Sequence, residues 1–138
     1  MRSLIAFMAA ISLPLSASAQ GATPRLAVEL NAAESVEAGC RLSFHTTNSF
    51  DADLESLILE AVLFDANGQV DQMTMLDFGA IPANRSRVRQ FVLGGEDCAG
   101  LGALLINGAA TCDGEGLTVA SCDKAMQFTS RTEIEAAQ

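Results

Sequence analysis

The chain has 138 residues, 49% of them hydrophobic and 5% aromatic, with neither Trp nor Tyr, and its formal charge is −9. That length and apolar content suffice for one domain with a real core. The charge repels nucleic acid and anionic membrane surfaces, so neither is expected as a partner.

The amino terminus reads as an export signal. Arg2 supplies a positive n-region, Leu4 to Leu15 form an apolar stretch too short to span a bilayer, and Ala17-Ser18-Ala19 gives the small-x-small pattern before a cleavage at Gln20. A lone arginine argues for unfolded, Sec-type export over the twin-arginine route, and no cysteine at the cleavage site offers a lipid anchor. The expected organisation is a cleaved signal peptide over 1–19 and a single domain over 20–138, periplasmic or secreted. Removing Arg2 from the eight basic residues leaves seven against seventeen acidic ones, a net charge of −10. Such acidity keeps an exported domain soluble; attraction of a basic partner is the second reading.

After Gln20, short alternating or continuous apolar runs separated by turn signals predict an all-β domain. Leu26, Val28 and Leu30 mark a first strand, and Cys40, Leu42 and Phe44 a second. Leu57 to Phe64 is apolar on both faces except at Glu60, which suits a central strand, with a short helix as the competing reading. Asp65-Ala66-Asn67-Gly68 ends it in a hairpin, because Asn-Gly takes the positive φ of tight turns. Val70 to Phe78 is a fourth strand, Arg85 to Leu93 a fifth and Leu101 to Asn107 a buried sixth. Phe128, Ser130, Thr132 and Ile134 alternate along a last strand, while the segment from Leu117 to Gln127 gives no clear pattern. About seven strands at this spacing predict a two-sheet, immunoglobulin-like Greek-key sandwich.

Four cysteines, Cys40, Cys98, Cys112 and Cys122, imply two disulfides with three possible pairings. No Cys-x-x-Cys spacing and a single remote histidine speak against a metal site, and no cofactor fingerprint is present. If successive strands alternate direction, the second and sixth run the same way. Cys40 and Cys98 then lie at one end, which favours Cys40–Cys98 with Cys112–Cys122. Loop entropy assigns these bridges about 4 and about 3 kcal/mol.

The segment Cys40 to Asn48 (CRLSFHTTN), the Leu57–Asp65 strand with its Asn-Gly turn, and Cys98 ahead of an apolar strand resemble immunoglobulin-like or fibronectin-like modules of exported bacterial proteins. More narrowly, the chain resembles periplasmic proteins of alphaproteobacteria. The resemblance implies a sandwich that binds or supports other proteins, although fold alone does not assign a function.

Few residues invite chemistry. His45 is the one histidine any conventional acid-base mechanism would use, yet it falls on a solvent face beside Ser43 and Thr47, and no Gly-x-Ser-x-Gly element supports a nucleophile. Arg85, Arg87 and Arg89 form a ladder able to hold an anion; pairing with Asp71 and Asp77 of an antiparallel preceding strand, Asp77 opposite Arg85, explains them more simply. Asn84-Arg85-Ser86 matches a glycosylation acceptor only by letter. Asp51, Asp53 and Glu55, with Asp113 and Glu115, offer carboxylates suited to calcium without the spacing of a calcium loop. If Leu57, Leu59, Ala61 and Leu63 face the core, Ile58, Val62 and Phe64 lie outside around Glu60 as a partner patch, unless a loop or the amino-terminal segment covers it.

The expected function is therefore that of a non-enzymatic module binding another envelope protein. A small-ligand or calcium-binding module is the alternative, and an envelope hydrolase using His45 a third reading.

Overall fold

Strand-forming runs that each bury one face can only be satisfied by stacking two sheets, and the computed structural model, which describes residues 25–138, has that architecture. The segment read as an export signal, residues 1–19, lies outside the described residues. Strands β1 (Leu26–Val36), β2 (Gly39–Asn48), β5 (Arg85–Leu93) and β7 (Met126–Ser130) make one sheet in the order β5-β2-β1-β7. Strands β3 (Leu54–Asp65), β4 (Val70–Ile81), β6 (Leu101–Asp113) and β8 (Glu135–Ala137) make the other in the order β4-β3-β6-β8. Hairpins β1-β2 and β3-β4 sit in opposite sheets; β5 then returns to β2 and β6 to β3, all antiparallel, which interlocks the two layers as a Greek key.

The core is aliphatic with a phenylalanine centre. Leu57, Leu59, Ala61 and Leu63 of β3 point inward and are fully buried. Phe44 meets Phe78 and Phe91 edge-on at 5.5 and 5.8 Å between ring centroids, geometry that aromatic quadrupoles favour.

Cys40–Cys98 and Cys112–Cys122 are the two disulfides, as the strand directions predicted. Cys40 is the second residue of β2, and Cys98 begins a single 3₁₀ turn (Cys98–Gly100) just ahead of β6, so this bridge joins the layers at one end. Both bridges belong to an oxidising, extracytoplasmic setting. Among the described residues no helix is long and apolar enough to cross a membrane.

The sequence reading needs correction at three places. The segment without a clear pattern contains a helix, α1 (Val119–Ala125), capped by Thr118 and Ser121 in a reciprocal box and tied to β6 through Cys122. The single last strand is two. Residues 131–134 leave the ladder because the Ser130 and Thr132 hydroxyls accept from the Thr132 and Ile134 amides, bending the chain while Ile134 stays buried. So β7 lies parallel to β1 and β8 parallel to β6, giving eight strands; α1 and β7 supply the crossover that a parallel neighbour needs. At the β3-β4 turn only Gly68 has positive φ, 80°, and the Gly68 amide bonds Asp65 O at 3.1 Å. The expected hairpin is present, with Gly68 supplying the positive φ and a register shift following the turn. Finally, β4 and β5 are not ladder partners. Pro82 and the positive φ of Asn84, 55°, turn the chain from one layer to the other.

Candidate functional site

The outer faces of the two sheets differ in kind. On β3, alternation places Ile58, Glu60, Val62 and Phe64 outward, opposite the buried leucines. Register then sets their neighbours. Val62 lies between Met73 of β4 and Leu105 of β6, Glu60 between Met75 and Gly108, and Phe64 between Val70 and Ala103. Val70, Met73 and Met75 are 58%, 59% and 55% exposed, Ile58 and Phe64 are half-buried, and Val62 is covered by its neighbours. The result is an apolar face across three strands, with the Glu60 carboxylate inside it accepting a hydrogen bond from Asn107 Nδ2. A shallow depression of about 260 Å³ separates Glu60 from Met73 and Met75.

Charge reinforces the contrast. None of the four strands of this sheet contains Lys, Arg or His, whereas they carry seven carboxylates: Glu55, Glu60, Asp65, Asp71, Asp77, Asp113 and Glu135. The strands of the opposite sheet carry four cations, Arg41, Arg85, Arg87 and Arg89. Its two carboxylates are neutralised, Glu29 by Arg131 at 3.0 Å and Glu34 by Arg41 at 3.1 Å.

Arg85, Arg87 and Arg89 lie on β5 across from Asn48, Thr46 and Phe44, so they lean toward the space between the layers and not outward. Arg89 donates through Nε to Phe78 O at 2.9 Å and through Nη2 to Ala80 O at 3.4 Å, capping carbonyls on the open edge of β4. Inward-pointing charges at a sheet edge are a known protection against unwanted pairing. The expected pairing with Asp77 does not occur. Asp77 sits across from Ile58 in the other sheet and accepts from the Gly79 amide, and no carboxylate lies within 4.0 Å of the three arginines among the described residues.

His45 is exposed on the outer face of β2 between Glu29 and Val88. Ser43, two residues away, accepts a hydrogen bond from Gln90 and has none from His45. No nucleophile and base are therefore brought together here.

The acidic loops do converge. Asp51, Asp53 and Glu55 share an open depression of about 700 Å³ with Glu115, Arg25 and Leu117. Arg25 stacks 5.0 Å over the Phe50 ring and lies 4.0 Å from Asp51, while Asp53 accepts from the Ala83 amide at 2.7 Å. Asp113 is not part of it. Among the described residues no three His, Cys, Asp or Glu side chains stand close enough to hold a metal ion.

The outer contributions of Val70, Met73, Met75 and Leu105 escaped the sequence reading. Their signal was the alternation itself: Met73 and Met75 fall out of phase with the buried Leu76 and Phe78, so β4 is apolar on both faces. No protein-family model, curated protein sequence or solved structure matches this chain.

Proposed function

We propose that the protein is an exported, non-enzymatic binding module of the cell envelope, and that it holds another envelope protein through the outer face of the β4-β3-β6-β8 sheet. The observation that carries this reading is the apolar surface around Glu60, with Val70, Met73 and Met75 more than half exposed in a sheet without a single cation. Exposed apolar surface with a polar rim is what protein interfaces use, and carboxylates in and around it select a partner that brings Lys or Arg. The two disulfides and the signal-like amino terminus support an envelope location.

The test is association in the native exported fraction. Phe64→Asp and Met73→Asp should each remove a co-purifying partner while leaving the melting temperature within a few degrees, since both side chains lie on the outer face. An unchanged complex, or a collapse of stability with Phe64→Asp, would overturn the assignment of the surface.

A small-ligand module is the second reading, favoured by the convergence of Asp51, Asp53, Glu55 and Glu115 on one depression. Native mass spectrometry separates the two: retained small-molecule mass lost on denaturation would move this reading to first place.

A further inference from the structure

Among the described residues six large apolar side chains are exposed, and five of them, Val70, Met73, Met75, Val88 and Val92, belong to β4 and β5. These strands end their respective sheets on the same side of the sandwich. The edges are treated differently. On β5 three arginines point inward, and Arg89 reaches over to occupy the carbonyls of Phe78 and Ala80, closing the last part of β4. From Val70 to Leu76, β4 has β3 on one side and no ladder partner on the other, no Pro or Lys, and its outer side chains are Val70, Met73 and Met75. An edge of that kind is a template for one more strand.

Resting on the protein-binding reading above, we infer that the partner contributes an extended segment which adds to the sheet as a fifth strand along Val70–Leu76 of β4. Its side chains alternate between faces, so those pointing outward would be apolar beside Met73 and Met75 and continue that surface, with a basic residue beside Asp77, which shares the face. Charge chooses among occupants. A second copy of this chain would bring seven carboxylates against seven, and an anionic lipid surface is repelled in the same way. A basic, apolar strand satisfies both the open backbone and the field.

The probe is the octapeptide Lys-Thr-Val-Thr-Val-Thr-Lys-Thr, whose lysines and valines share one face, titrated into the oxidised, isotope-labelled protein and followed by NMR and amide hydrogen exchange. Saturable shifts on β4, with new protection of the amides between residues 70 and 76 that do not bond β3, are the expected result. Met73→Asp with Met75→Asp should weaken binding at least tenfold, and N-methylation of alternate peptide amides should abolish it. Binding that needs Met73 and Met75 but tolerates N-methylation would overturn strand addition and leave face-on docking intact. Equal binding of the same peptide with both lysines changed to glutamate, protection arising from self-association, or no saturable shift would each overturn the inference. The docking reading is judged separately, by the co-purification of the native partner.

Discussion

Asn48 is one of two buried polar side chains among the described residues, and it is fully used. Its Nδ2 donates to Ala52 O at 3.0 Å and Ile81 O at 2.9 Å, while Oδ1 accepts from the Phe50 amide at 2.9 Å. One amide thus holds the β2-β3 connection to the end of β4 and satisfies three backbone groups, those of Ile81 and Phe50 in buried bonds and that of Ala52 in a part-buried one. Asn48→Ala leaves those groups unpaired, which should cost about 2–3 kcal/mol and lower the melting temperature by about 10 °C with both disulfides intact. Urea unfolding measures this directly; a loss below about 0.5 kcal/mol would mean that the connection is held by Phe50 packing alone. Gly39 illustrates a different demand at the same scale. Its φ is 138°, and a Cβ there would collide with the Leu93 carbonyl, so only glycine lets β2 approach β5 next to the Cys40 bridge.

Pairing between elements was legible in the sequence wherever alternation was unbroken and was lost wherever a device reset the phase. Strands β2, β3 and β5 coincide closely with the apolar runs, and β3 is a strand and not the competing helix. Strand β1 runs on to Val36 because the register shifts between Leu30 and Ala32, a bulge that brings Ala33 to the inner face. Strand β6 continues through Asn107-Gly108, which read as a stop, because Gly108 takes a φ of 155° inside the ladder. The helix was hidden for a chemical reason: its capping box uses Ser121 where the usual signature has Glu or Gln. The site was half legible for the same kind of reason, since Ile58, Val62 and Phe64 follow from the alternation of β3 alone, whereas Met73, Met75 and Leu105 join them only through register. One inter-element tie makes a pH-dependent prediction. Glu29 of β1 accepts from Asn31 and from Arg131 of the β7-β8 link, and these bonds hold its carboxyl below the ordinary value of 4.5. A lowered folded pKa adds stability above the ordinary value, and that gain is lost as pH falls through the folded one. The stability difference between the parent and Glu29→Gln should therefore be constant above about pH 5, shrink below 4.5 and weaken with salt; a difference that grows on acidification would contradict the assignment.

At the scale of the whole molecule, charge and crosslinks divide the labour between the layers. The β4-β3-β6-β8 sheet sets its carboxylates around an apolar outer face, and the opposite sheet keeps its carboxylates neutralised and lends Arg89 to the shared edge. A surface left that apolar weakens the case for solvation as its stabiliser, so covalent closure carries more of the load. Cys40–Cys98 spans 58 residues and joins β2 of one sheet to the turn before β6 of the other, whereas Cys112–Cys122 spans 10 and joins β6 only to α1. Loop entropy in the unfolded chain scales with those spans, about 4 kcal/mol against about 3. Topology widens the gap, because only the longer bridge holds the two layers together. Replacing Cys40 and Cys98 with Ala should therefore cost more stability than replacing Cys112 and Cys122, and should loosen the whole sandwich, while the shorter loss should mainly raise hydrogen exchange in α1 and the end of β6. Equilibrium unfolding of the two double variants, read with residue-resolved exchange, tests both parts. If the Cys112/Cys122 variant proves the less stable, or if its exchange rises evenly across both sheets, then α1 is a keystone of the core and the layers are held by their apolar contact, with Cys40–Cys98 a minor contributor.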